Sequence, residues 1–299
     1  MAGWVGHMAA LLEPLAERIA RHVRAGAALH ADDTPVPVLD PGRGGTKTGR
    51  LWTAVRDESP YGSTAPPAAF YLYSPDRKAE RAHALLKGCR GHLHADAYAG
   101  FAGLYEADPL TGAPAPLTEV ACWAHARRKI YDIHVETKSP AAAQALEMIA
   151  RLFAIEADIN GRPPAERLAA RRAKATPILS ELRAFLDATM EKISGKSSLA
   201  SAFRYAASRW TALTRYVGDG RLEMSTDGAD KRESSARRSG HGRSRGWLFL
   251  PRRHHSLVGV LSTPHVVGFP LADLLDPIVP TWSRLAILAR SAGFERCFA

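Results

Sequence analysis

The 299-residue chain is 46% apolar and 23% charged, an ordinary balance for a folded protein of one to two domains. Its formal charge of +10 and isoelectric point near 9.8 are not ordinary, and they favour polyanionic partners, nucleic acid first and an anionic membrane surface second. Cys89, Cys122 and Cys297 are too dispersed for a disulfide framework or a structural zinc site, and no apolar run nears the roughly 20 residues of a membrane-spanning helix.

Apolar residues at three- and four-residue steps (Trp4, Met8, Leu11, Leu15, Ile19, Val23) predict an amphipathic helix over 4–24, with Gly26 as its stop. No basic segment followed by an apolar one opens the chain, so a cytoplasmic location is expected. Leu29–Leu39, Leu51–Arg56 and Ala69–Tyr73 predict three strands. The glycine-rich basic connection from Pro41 to Gly49 lacks a terminal Gly-Lys-Ser/Thr and feeds a strand, so it reads as a long hairpin loop and not a phosphate loop. Ala79–Leu86 predicts a short helix, Gly91–Ala97 a fourth strand, Ala99–Tyr105 a helical turn, and Glu119–Trp123 a fifth strand leading into the basic stretch Ala124–His134. From Ser139 to about Val217 the texture is helical, with breaks at Gly161–Pro164, Pro177 and Gly195. A polar basic stretch follows Gly218, and then an apolar tail from Leu257 with poor periodicity.

That order predicts an α/β fold, a ribonuclease H-like mixed sheet with an inserted α-helical subdomain. The boundaries drawn are 1–28 for the amino-terminal helix, 29–138 for the first part of the core and 139–217 for the helical insertion. The rest of the core, with its basic segment, is placed at 218–255 and an atypical tail at 256–299.

Two segments spell nearly the same thing, Leu29-His30-Ala31-Asp32 and Leu93-His94-Ala95-Asp96, and each closes an apolar strand on an aspartate. A carboxylate at the end of a buried strand is costly unless positive charge is held there. Residues two apart share a strand face, so each His points with its Asp. Two such aspartates on paired strands can supply hard oxygen ligands to Mg²⁺, but a divalent pair calls for a third carboxylate. Drawing the two histidines in as ligands gives a rival reading, a zinc-dependent hydrolase. Trp123, followed by Arg127, Arg128 and Lys129 at a helix start, suits base stacking and phosphate contact. Arg237, Arg238, Arg243 and Arg245 form a second basic segment with no acid after Glu233, suited to DNA backbone.

In order, His30-Ala31-Asp32-Asp33-Thr34-Pro35-Val36, Gly49-Arg50-Leu51-Trp52, His94-Ala95-Asp96-Ala97-Tyr98-Ala99-Gly100-Phe101, Cys122-Trp123-Ala124-His125-Ala126-Arg127-Arg128-Lys129 and Asp219-Gly220-Arg221-Leu222-Glu223 resemble the transposases of the insertion sequence 66 family. The resemblance runs from about residue 4 to 223. It implies a ribonuclease H-like core with a DDE triad that cuts and joins DNA with Mg²⁺ (Mn²⁺ as a substitute), acting on element ends and target DNA, with a homo-oligomer on paired ends as a further partner. Asp32 falls on the first acidic position, with Asp33 beside it, and Asp96 on the second. The family's paired asparagines are replaced by Ser225-Thr226-Asp227. Glu233 is preferred as the third carboxylate and metal ligand, with Asp230 open. The usual amino-terminal region has no counterpart before Trp4, and the tail departs from the pattern after about Leu250. A truncated, catalytically inactive remnant that still binds DNA is therefore the alternative reading.

Overall fold

The computed structural model describes residues 2–40, 42, 44–226, 247–251 and 257–261. Its centre is a five-stranded mixed sheet built from β1 (Ala28–Asp40), β2 (Gly45–Arg56), β3 (Ala68–Ser74), β4 (Gly91–Ala95) and β5 (Leu117–Ala121), in the order β3-β2-β1-β4-β5. The β1–β2 and β2–β3 pairs are antiparallel, whereas β1–β4 and β4–β5 are parallel. The parallel pairs need crossovers, which the chain supplies through α2 (Ala79–Leu85) and a 3-10 turn at Ala99–Leu104. Gly91 opens β4 at φ 100°, and a Cβ there would lie 2.3 Å from the Ala27 carbonyl oxygen, so the entry into β4 demands glycine.

One sheet face buries Leu29, Ala31, Trp52, Ala54, Phe70, Leu93 and Ala95 against Val23 of α1 (Ala2–Arg24), Leu85 of α2 and Phe101. A second apolar cluster joins Val120 and Ala121 of β5 to α3 (Trp123–Thr137), α4 (Pro140–Asp158), α6 (Thr176–Lys192) and α7 (Ser198–Ser208). Ser139 and Ser197 cap α4 and α7, their hydroxyls accepting from the amides of Ala142 and Ala200 at 3.3 and 3.1 Å. Between these helices, α5 (Pro164–Ala170) runs through a π turn at Arg171–Ala175 into α6, and α8 (Trp210–Thr214) follows α7.

Several elements depart from the sequence expectations. The loop expected over Pro41–Gly49 is mostly strand: β2 starts at Gly45, paired with Asp40, because the β1–β2 register runs on past Leu51. The fourth strand stops at Ala95, leaving Asp96 just beyond its end. Pro177 does not break the helix. It sits at the start of α6 just after the π turn at Arg171–Ala175, where the regular hydrogen-bond ladder is already interrupted. A small hairpin of β6 (Trp247–Pro251) and β7 (Leu257–Leu261), absent from the sequence reading, forms a separate antiparallel pair. No helix among the described residues is long and apolar enough to cross a membrane.

Candidate functional site

The β1–β4 register sets Leu29 against Leu93 and His30 against His94. The two histidine rings stack with centroids 4.5 Å apart and planes 17° apart. Asp32 follows His30 by two inside β1, so strand alternation places it on the histidine side, and Asp96 follows His94 by two just past the carboxyl-terminal end of β4. In open α/β sheets the carboxyl-terminal edge is where ligands bind. Asp32 Oδ1 accepts from the Asp33 amide at 2.8 Å, and Asp96 Oδ1 accepts from the Tyr98 amide at 3.0 Å. Both side chains are thus partly braced by local backbone.

The histidines do not converge on an ion with the aspartates. His94 is buried, and burial first, then the charges of His30, His92 and Arg171, push its pKa well below the ordinary value. It is therefore neutral, which fits its Nε2 accepting from the Glu223 amide at 3.5 Å. Among the described residues no group of three or more His, Cys, Asp and Glu side chains gathers where a metal could be held. The two-His, two-Asp zinc reading lacks that geometry.

Asp33, one residue on, points to the opposite face, where its side chain is 1% exposed. Two arginines hold it: Arg50 Nη1 donates to Oδ2 at 3.0 Å, and Arg77 Nη2 to Oδ1 at 2.6 Å. Arg77 also reaches to within 3.6 Å of Asp96 Oδ2. Burial works against the Arg77 charge, but the bonds and charge of Asp33, with Asp96 behind them, hold its pKa above the ordinary value. Neither arginine was singled out from sequence. A Ser-Pro-Asp-Arg turn leaving a strand is too common a pattern to mark one.

A strap from Tyr216 to Thr226 crosses the histidine side. Arg171, fully buried, donates to the carbonyls of Tyr216 (2.9 Å), Asp219 (2.9 Å) and Leu222 (2.8 Å) and forks onto Glu156 at 2.8 and 2.6 Å. Arg167, 1% exposed, pairs with Glu223 and also with Glu156. Burial raises the Glu223 carboxyl pKa, and the Arg167 charge offsets only part of that. Gly220 meets Pro164 so closely that a Cβ would lie 1.9 Å from its carbonyl oxygen. Farther along, Met224 accepts from the Trp123 amide at 3.1 Å, and the Thr226 amide and hydroxyl both donate to Cys122 Sγ at 3.3 Å. Burial alone would raise the Cys122 thiol, yet the bonds from His125 and Thr226 outweigh it and leave the pKa below the ordinary value.

The expected DNA-binding residues divide. Arg127, Arg128 and Lys129 are exposed on the first turns of α3, and none pairs with a carboxylate among the described residues. Arg127 lies 5.6 Å from the Tyr131 ring centre, and Lys129 Nζ 4.8 Å from that of Tyr205. Burial raises the Tyr205 phenol pKa and the Asp96 charge adds to it, so Lys129 and Asp96 share a neighbourhood. Trp123 is a correction. Its ring is 0% exposed, its Nε1 donates to the Leu213 carbonyl at 2.8 Å, and Trp210 packs edge-on against it at 5.8 Å. An indole sealed in the core cannot stack on a base. Asp230, Glu233, Arg237, Arg238, Arg243 and Arg245 lie outside the described residues.

Comparison with known proteins gives one family and several relatives. The model described as "Transposase IS66 family" matches residues 1–250. Among curated proteins, the chain is similar to three from Sinorhizobium fredii that are described as uncharacterized. It is 34% identical to y4qI over 294 residues, which is 96% of this chain and 53% of that protein. It is 34% identical to y4hP over 264 residues (83% and 46%) and 34% identical to y4jD over 224 residues (75% and 44%). The chain therefore spans about half the length of the curated relatives it matches. No solved structure matches it.

Proposed function

The chain belongs to the IS66 transposase family, and from that premise we propose that it carries the strand-cleaving and strand-joining site of a DNA transposase. Its substrates are then the ends of the mobile element and the target DNA. The observation that carries this reading is the parallel register that sets His30 against His94, with Asp32 two residues on inside β1 and Asp96 two residues on, just past the end of β4. The strand order β3-β2-β1-β4-β5, with β2 antiparallel to the central strand, supports a ribonuclease H-like assignment.

The donor set suits a hard divalent cation in kind. Asp32 and Asp96 offer carboxylate oxygens at a sheet edge, and Glu233 is proposed as the third ligand. A bound Mg²⁺ pair would supply Lewis-acid stabilisation and a nucleophile active at neutral pH. The chain's own part is positioning. Asp32 and Asp96 hold their place through the amides of Asp33 and Tyr98, and the exposed cations of α3 track backbone phosphates beside Asp96. The basic segment with Arg237, Arg238, Arg243 and Arg245 extends that track in this reading.

The test is Mg²⁺- or Mn²⁺-dependent nicking of a duplex bearing the element end. Asp32→Ala and Asp96→Asn are expected to abolish nicking while leaving the chain folded and DNA-bound. Equal residual activity in Asp32→Ala would remove the assignment. The replacement of the family's paired asparagines by Ser225-Thr226-Asp227 favours a second reading, a DNA-binding chain without catalysis. Tight duplex binding with no nicking by the wild-type chain would select it.

A further inference from the structure

Arg77 stands in the short connection between β3 and α2, and its guanidinium is fixed on all but one edge. Nε and Nη2 both donate to Asp33 Oδ1, at 2.9 and 2.6 Å. The Tyr98 ring lies under the guanidinium plane, 4.2 Å from its carbon, and the Tyr98 hydroxyl donates to the Arg77 carbonyl. The connection itself is braced. Ser74 Oγ accepts from Trp52 Nε1 at 2.8 Å and donates to the Asp76 carbonyl at 2.5 Å, and the Asp76 carboxylate pairs with Arg81 at 3.1 Å. Nη1 has no hydrogen-bond partner among the described residues, and the side chain is 38% exposed. Asp96, at 3.6 Å, is close enough to attract the cation but too far for a hydrogen bond.

Neutralising Asp33 does not require Arg77, because Arg50 already pairs with that carboxylate at 3.0 Å. Arg77 is shared instead between Asp33 and, at longer range, Asp96, and its Nη1 edge is used by neither. A planar fork that is held by one edge and one face, with its other edge open to solvent, has little side-chain entropy left to lose when an anion arrives. The anion this geometry fits is a phosphate, whose oxygens match a guanidinium edge. We propose that Arg77 is a phosphate-binding residue of the site, taking a backbone phosphate of DNA laid against Asp96. The proposal rests on the transposase reading and adds to it a residue the motifs did not mark.

The test is fluorescence anisotropy of a fluorescein-labelled DNA duplex with the full chain, without divalent metal, from about 50 to 200 mM KCl. Circular dichroism melts report whether each variant is folded. Arg77→Gln is expected to bind more weakly, with the slope of log K against log salt smaller by about one. Its deficit against wild type then shrinks roughly threefold across that salt range. Arg77→Lys is expected to keep the wild-type slope but bind several-fold more weakly, since an ammonium cannot hold Asp33 by a fork and present a second edge. A folded Arg77→Gln chain with wild-type affinity and slope would reduce Arg77 to a counterion of Asp33 and overturn the proposal. If the glutamine variant fails to fold, an Arg77→Lys chain indistinguishable from wild type overturns it equally. Absence of salt-dependent DNA binding by the wild-type chain would instead sink the transposase reading, and this proposal with it.

Discussion

Replacing Arg171 by methionine removes a buried charge without removing much volume, and the structure sets the size of the effect. The guanidinium is 0% exposed and makes five hydrogen bonds, two to Glu156 and three to the carbonyls of Tyr216, Asp219 and Leu222. Methionine leaves Glu156, itself 12% exposed, with only Arg167 at 3.4 Å, and leaves three carbonyls to find water by opening the strap. Breaking one side of such a pair costs about 3–5 kcal/mol. A domain has about 5–15 kcal/mol in total. Urea titration followed by far-ultraviolet circular dichroism should show a lower midpoint at an unchanged m value. Trypsin supplies the local readout, because Arg221 sits in the strap with its side chain 52% exposed and should be cut faster once the strap loosens. The companion variant Arg171→Met with Glu156→Leu removes both charges and should recover much of the loss, since a buried pair offsets little more than its own desolvation. A loss under about 1 kcal/mol in the single variant, or strict additivity in the double, would refute the claim that this pair pins the strap.

Trp123→Phe should cost about 1–2 kcal/mol, for the lost bond to Leu213 and a smaller ring, while DNA affinity per folded molecule stays at the wild-type value. Weaker DNA binding at unchanged stability would return the indole to a base-contacting role. Replacing Arg127, Arg128 and Lys129 together by glutamine should reduce the salt slope of duplex binding by about three, and an unchanged slope would remove α3 from the interface. Stability should fall in acid. Burial tends to raise the Glu58 pKa, but bonds from Arg56, Ser63 and Tyr61 outweigh it, while bonds from Arg81 and Arg221 depress Asp76 and Asp219. Between those depressed values and the ordinary carboxylate value near about 4 the unfolded chain binds more protons. The contribution is therefore complete above that range and lost as pH falls through the folded values. Melting temperatures from about pH 6 to 3 should show the decline, and Glu58→Gln should flatten it.

How legible the site was depends on whether the signal is local. Asp32 and Asp96 stand out in the sequence because a repeated His-Ala-Asp is a pattern of period two, although β1 runs on past Asp32 and β4 stops just short of Asp96. The strands of the sheet could be read for the same reason, although β2 ran six residues longer than its apolar core, from Gly45 and not Leu51, since a hairpin's register can continue through polar residues. Arg171 and Arg167 could not be read. In an Ala- and Arg-rich helical stretch a buried arginine looks like a solvated one until its partners, from 11 to 56 positions away, are known. Trp123 failed in the opposite sense. A tryptophan before three cations resembles a stacking platform, but it opens α3 on the core side with Ala126 and Ile130, while helix phase turns Arg128 and Lys129 outward and leaves Arg127 exposed at the border.

The two arginine–carboxylate clusters flank the Asp32–Asp96 edge from opposite sides of the sheet, and their burial assigns them different work. Arg171 and Arg167 are sealed and share Glu156. Arg171 spends all its hydrogen bonds on that carboxylate and three backbone carbonyls, and Arg167 pairs also with Glu223 while its Nε and Nη1 stay buried without a partner among the described residues. No unsatisfied edge faces water from Arg171, so changing it must appear first as lost stability. Arg77 is part exposed, shares Asp33 with a second arginine, and keeps one edge open. Substituting it leaves Asp33 paired, so the change should appear first in ligand binding. Measuring both readouts on Arg171→Met and Arg77→Gln separates these roles. If the buried cluster controlled DNA affinity at constant stability, or the exposed one controlled stability at constant affinity, burial would be the wrong guide to function in this sheet.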